Sequence, residues 1–147
     1  MIIQCALLLV TVLHTRIALA DSAHGSAPYP TAVQQNWILN CQGCHRPDAT
    51  GSSHTTPVMT GELGKFLSVR GGREYLVRVP GVASSPLSDA ELADLLNWTL
   101  KTYDAKHLPA HFIPYNATEI ARLRQKPYRL DIAKIRNQLI AQFSQQP

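Results

Sequence analysis

The sequence predicts an all-α fold, and three observations support this prediction. Apolar residues recur at the three- and four-residue spacing of an amphipathic helix in several segments. One of these segments begins with the capping-box pattern Ser88-Asp89-Ala90-Glu91. No segment shows the sustained alternation of apolar and polar residues that is typical of a half-buried strand. The chain has 147 residues, which is enough for one ordinary domain.

The first element, residues 1–20, is predicted to be a secretory signal peptide. Met1–Leu13 is almost wholly apolar, and Ala18-Leu19-Ala20 has the small-x-small pattern of a cleavage site. Residues 21–30 are rich in Ser, Ala, Gly and Pro and are predicted to be a flexible N-terminus. The predicted signal peptide leads us to expect an exported, periplasmic protein. No apolar run is long enough to span a bilayer, so we expect no transmembrane anchor in the mature chain.

Residues 31–106 are predicted to form the main helical domain. The first helix is expected to begin at the cap Thr31 and to end at Asn40. Short helices are predicted over 61–69 and 73–79, and the Pro- and Gly-containing segment 80–86 is predicted to be a loop. The longest helix follows the capping box, with six residues at helical spacing: Leu92, Leu95, Leu96, Thr99, Leu100 and Tyr103.

Residues 107–147 are predicted to form a basic C-terminal extension, called the arm below, with helices over 118–125 and 131–143. Residues 117–147 contain six basic and two acidic residues, whereas residues 21–116 contain seven and eight. This density of positive charge is too low, and aromatic residues are too few, to indicate nucleic-acid binding. The basic face either steers an acidic protein partner or is the solvated side of two packed helices.

The sequence Cys41-Gln42-Gly43-Cys44-His45 matches the C-x-x-C-H attachment motif for haem c. The two thiols would add to the haem vinyl groups as thioethers, and His45 would become the proximal ligand of the iron. Cys5 lies in the predicted signal peptide, so the mature chain lacks the cysteines of a disulfide framework or a cysteine-rich zinc site. The motif therefore predicts one covalently bound haem c, with a non-haem dithiol or metal-binding module as a rival interpretation.

Residues 31–103 resemble the class I (mono-haem) cytochromes c. A helix runs into C-x-x-C-H, and residues 56–64 (TPVMTGELG) match the family's next segment, with Pro57 twelve residues after His45. The resemblance implies a cytochrome c-like helical domain around one haem, in which the Pro57 carbonyl accepts a hydrogen bond from the proximal histidine. It also implies that the long helix crosses the first helix near Trp37.

The sequence departs from this family at the distal iron ligand. The family's methionine is absent from residues 78–86, where Val79-Pro80 stands in the place of Met-Pro. Met59 occupies a position at which the family packs a leucine against the haem, so Met59 either packs there or binds the iron. Further candidates for the distal ligand are His54, His107 and His111. A vacant sixth position on the iron is the remaining alternative.

A haem also carries two propionate carboxylates, which need polar partners when they are buried. Arg70, Arg73 and Tyr75 follow or flank the Gly71-Gly72 break and are candidates for this role. An exposed basic turn is an equal alternative for these residues.

Together these features predict a cytochrome that transfers single electrons between an exported dehydrogenase and a downstream cytochrome or oxidase. No catalytic residues are expected, and the protein is predicted not to be an enzyme. The alternative is a haem-based enzyme or gas-binding module with an open sixth site on the iron.

Overall fold

The computed structural model describes residues 30–52 and 55–145. The predicted signal peptide, residues 21–29 of the predicted flexible N-terminus and the candidate ligand His54 lie outside the described residues. Within those residues the chain is helical and has no strand, and Ser52 and Thr56 form one isolated bridge. The predicted all-α, cytochrome c-like fold is therefore confirmed.

The α-helices in chain order are α1 (Ala32–Trp37), α2 (Gly43–His45), α3 (Leu63–Phe66), α4 (Gly72–Arg78), α5 (Pro80–Ala83), α6 (Asp89–Asp104), α7 (Ala117–Arg124) and α8 (Ile132–Ile140). A π-helical turn, Ile38–Gln42, joins α1 to α2. Short 3-10 turns, Ala105–His107 and Phe143–Gln145, follow α6 and α8. None of the helices in the described ranges is both long enough and apolar enough to cross a membrane.

Local sequence signals determine where the helices begin. Thr31 and Gln34 form a capping box at α1, and Ser88 and Glu91 form a second one at α6, as the sequence predicts. The prediction that residues 80–86 form a loop is wrong for the first half of that segment, because Pro80–Ala83 makes the helical turn α5. Pro80 suits the first turn of a helix, where its fixed φ is already helical and its missing N–H is not needed.

Helix α6 crosses α1 through three aromatic rings. The ring centroid of Trp37 lies 6.0 Å from that of Trp98 and 4.9 Å from that of Tyr103. Trp37 is only 2% exposed, so it anchors α1 in the core. This contact confirms the crossing of the first and long helices that the resemblance implied.

The arm contains two helices, as predicted, but it shares the core of the main domain. Four of its apolar residues are buried in the same cluster as Trp37 and the α6 leucines: Tyr115, Ile120, Leu123 and Leu139. Arg73 of α4 donates two hydrogen bonds of 2.7 Å to the Glu119 carboxylate of α7. The Arg73 guanidinium also lies 4.1 Å from the centre of the Tyr115 ring. The arm is therefore an integral layer of the fold.

Candidate haem-binding site

The C-x-x-C-H residues lie on one continuous helical run from α1 to α2. The π-helical turn contains Cys41, and α2 contains Cys44 and His45. Single π-turns inside α-helices are common at functional sites. The helical run ends at Arg46, whose φ of 67° turns the chain away. Cys44 is exposed and Cys41 half-buried, and both thiols are free.

A cavity of about 420 Å³ lies next to this motif and is called the central cavity here. Cys41, Cys44 and His45 all line it. Most of the rest of its wall is apolar: Leu63, Phe66, Leu76, Val79, Val82, Leu92, Leu95, Leu96, Leu100 and Ile132. Its volume lies within the range of roughly 300–1,000 Å³ that is usual for cofactor sites. A large planar apolar cofactor held through the two thiols fits these surroundings.

The environment of His45 suits an iron ligand. Partial burial of the ring lowers its pKa, and the nearby Pro57 carbonyl partly opposes this effect. The lowered pKa favours the neutral imidazole, which is the form that binds metals. The Nδ1 atom is buried and, within the described residues, has no partner in good hydrogen-bond geometry. The Pro57 carbonyl is therefore near the ring but does not complete a hydrogen bond to Nδ1.

Cys41 does not have the property expected of a reactive cysteine in a redox-active dithiol. Burial, and secondarily the neighbouring Cys44, raises the pKa of Cys41 to about 11. Redox-active cysteines usually have lowered pKa values, because the thiolate is the reactive form. No cluster of three or more His, Cys, Asp or Glu side chains able to hold a metal ion occurs in the described part of the chain. The raised pKa of Cys41 favours haem attachment over the dithiol interpretation.

Met59 lines the central cavity, but its backbone is tied to the loop that follows His45. The Met59 N–H donates to the Ala49 carbonyl at 2.9 Å, and the Gly51 N–H donates to the His45 carbonyl at 2.9 Å. These hydrogen bonds tie the Met59 backbone to the loop that follows His45. Packing against the haem and binding of the iron both stay predictions for this side chain.

The two candidate histidines of the arm lie away from the central cavity. The Nδ1 atom of His107 is 2.6 Å from the carboxylate of Asp104, which is buried, and neither residue lines the cavity. His111 is exposed and borders a separate groove with Leu67 and Phe112. His107 and His111, two candidates for the distal iron ligand, therefore do not line the central cavity.

The arginines proposed for the propionates also lie elsewhere. Arg73 is held by Glu119 and by the Ile113 carbonyl, and Arg70 is exposed and does not line the cavity. Of that group only Tyr75 lines the central cavity.

Sequence reasoning missed a cavity wall formed by α8, which contributes Ile132 and Arg136. Apolar residues recur at helical spacing in α8. This pattern does not show which part of the molecule the apolar face of the helix packs against.

Comparison with known proteins agrees with this geometry. No protein-family model matches the chain. Two curated proteins named cytochrome c-552, both from Thermus thermophilus, are each 33% identical to it over 105 residues. The alignments cover 58% of this chain and 79% and 70% of the two relatives. On this similarity, and on a helical fold with C-x-x-C-H beside an apolar cavity, the chain belongs to the class I cytochrome c family.

Proposed function

We propose that this protein is an exported electron carrier with one haem c, anchored by thioethers at Cys41 and Cys44 and ligated by His45. It would accept single electrons from an exported dehydrogenase and pass them to a downstream cytochrome or oxidase. The main support for the proposal is that the C-x-x-C-H residues line an apolar cavity of about 420 Å³. The predicted signal peptide supports export to the periplasm.

The bound haem supplies one-electron exchange between ferric and ferrous iron. The chain's own residues would orient and enclose it. A hydrogen bond from the His45 ring to the Pro57 carbonyl would orient the ring and raise the basicity of the ligand. Met59 packs beside the proximal side of the macrocycle, and the leucines of α6 exclude water from it. No residue is needed as a catalytic acid or base.

The surface around the motif suits brief contact with another redox protein. Cys44 is exposed, and Val58, which lines the cavity with it, is 46% exposed. The cavity therefore opens to solvent at the motif. A cofactor edge at this opening would lie within reach of a partner.

A spectroelectrochemical titration of the purified holoprotein tests the proposal. We expect a reversible transition that fits one electron, with the same midpoint in both directions. A haem that cannot be cycled, or that turns over a substrate instead, would contradict an electron-carrier role.

A second function, a gas-binding or haem-enzyme module, is favoured by one observation. In the described part of the chain, the wall formed by Val79, Pro80, Val82 and Ile132 contains neither a thioether nor an imidazole. Iron facing this wall would have an open sixth position. Addition of carbon monoxide to the ferrous protein separates the two functions: a rapid shift of the spectrum supports the second, and an unchanged spectrum supports the first.

A further inference from the structure

One charged side chain in the central cavity has no part in the proposed function. Arg136 of α8 lines the cavity and is half-buried there. It makes no hydrogen bond or ion pair with any residue that the structure describes. The other half-buried arginines have partners: Arg73 pairs with Glu119 and Arg124 with Asp89, and Arg78 donates hydrogen bonds to the Lys126 carbonyl and the Tyr128 hydroxyl.

Most of the side chains that line the cavity with Arg136 are apolar. Ile132 lies one helical turn earlier on the same face of α8 and also lines the cavity. Tyr75 also lines the cavity, where burial raises its pKa and the positive charge of Arg136 acts in the opposite direction. A charge among apolar side chains is costly unless an anionic group pairs with it.

The proposed haem would bring such a group into the cavity. Attachment through the vinyl groups at Cys41 and Cys44 leaves the two propionates at the other side of the macrocycle. A guanidinium binds a carboxylate through two parallel hydrogen bonds, which a lysine cannot reproduce. We propose that Arg136 binds a haem propionate, with the Tyr75 hydroxyl beside it, and that the arm thereby completes the haem pocket.

This inference rests on the proposed function, because the propionate belongs to the haem. It assigns α8 a role that the resemblance to class I cytochromes c does not include, since the resemblance ends before the arm. A small anion bound to the iron is the other negatively charged group that Arg136 could bind. The experiment distinguishes this anion from a propionate.

The test compares midpoint potentials of the holoprotein and three variants: Arg136→Gln, Arg136→Lys and Lys134→Gln. Lys134 is exposed on the same helix, so Lys134→Gln removes an equal charge outside the cavity. With Arg136→Gln the unpaired propionate would stabilise ferric iron. We expect a shift of about tenfold in the one-electron equilibrium, or about 59 mV to lower potential. Lys134→Gln should leave the potential nearly unchanged, and Arg136→Lys should lie between Arg136→Gln and the parent.

Equal potentials for Arg136→Gln and Lys134→Gln would overturn the inference while leaving the haem assignment intact. A lower azide affinity of ferric Arg136→Gln, with no shift in its midpoint potential, would also overturn the inference. Arg136 would then bind an anion on the iron and not a propionate. A parent protein without covalent haem would instead refute the proposed function itself, and the two failures are therefore distinguishable.

Discussion

At the residue scale, the two sides of the central cavity differ in the side chains that could bind iron. His45 and Pro57 form one side of the site, and Met59 is tied to the same side through Ala49. Val79 and Val82 line the cavity but have no atom that can bind iron. The reduction potential of a haem depends strongly on its axial ligands, so this wall should control the redox behaviour.

Val79→Met therefore should change the iron site directly. Val79 is half-buried, lines the cavity and lies at the junction of α4 and α5, where its backbone is extended. A thioether ligand favours ferrous iron, so we expect the midpoint potential to rise by about 59 mV or more, a tenfold change in the equilibrium. Val79→Leu is the control, because it adds bulk without sulfur. Equal potentials in the two variants would show that this segment does not face the iron.

At the element scale, α7 holds the segment between α5 and α6. Arg124 donates hydrogen bonds to the carbonyls of Ala83 at 3.1 Å and Leu87 at 2.8 Å, and to that of Ser85. The same guanidinium pairs with Asp89 at 3.1 Å. Arg124 of the arm therefore holds the end of α5 and the start of α6 together.

Arg124→Gln should therefore weaken the fold locally. Loss of several charge-assisted hydrogen bonds should lower the free energy of unfolding by about 2–3 kcal/mol. Amides of residues 83–89 should also exchange faster with solvent. Arg122→Gln on the exposed side of α7 should change stability by no more than about 0.5 kcal/mol. If both variants unfold at the same denaturant concentration, Arg124 does not hold the segment.

The cap of α6 gives a prediction of pH dependence. Hydrogen bonds from the Ser88 side chain and backbone lower the pKa of Glu91 from its usual 4.5. A lowered carboxyl pKa stabilises the folded state above about pH 4.5, and that stabilisation is lost as the pH falls through the folded-state pKa. Glu91→Gln should therefore be less stable than the parent at neutral pH, and the difference should shrink below pH 4.5.

Asp94→Asn is the control for the cap, because Asp94 is an exposed acidic residue of the same helix. Denaturant unfolding across the acid range measures both differences. A gap between Glu91→Gln and the parent that stays constant with pH would contradict the role of the charged cap.

At the scale of the whole molecule, the arm and the main domain form one cooperative unit. Ile120 is 0% exposed and belongs to the same hydrophobic cluster as Trp37. Arg78 of α4 donates to the Lys126 carbonyl at 2.6 Å, and its guanidinium lies 4.1 Å from the centre of the Tyr128 ring. The interpretation of the arm as two helices packed on the domain is therefore the better one. Four of its basic residues remain exposed and available to a partner: Arg122, Lys126, Arg129 and Lys134.

Truncation after Lys106 should prevent stable folding. It would remove several fully buried side chains, each worth roughly 2–5 kcal/mol, from a fold whose total stability is about 5–15 kcal/mol. Ile120→Ala is the milder variant and should cost about 2–5 kcal/mol. Circular dichroism and denaturant unfolding measure both effects. A truncated chain with native helicity and an unchanged haem spectrum would show that the arm is a separate docking module.

The features that could be predicted from the sequence are the local ones. The caps at Thr31 and Ser88, the two helices of the arm and C-x-x-C-H each depend on residues a few positions apart. The ion pair between Arg73 and Glu119 joins residues 46 positions apart, and no local pattern identifies it. For the same reason the sequence offers Arg73 as a candidate for the propionates, with an exposed basic turn as the equal alternative, and does not indicate that Arg136 lines the central cavity.

The most direct test of the account is the optical spectrum of the protein, oxidised and reduced, after expression in a host that attaches haem c. We expect a haem absorption spectrum and a pigment that stays with the polypeptide after precipitation in acidified acetone, because two thioethers hold it. A colourless protein in which Cys41 and Cys44 both react with a thiol reagent would contradict it.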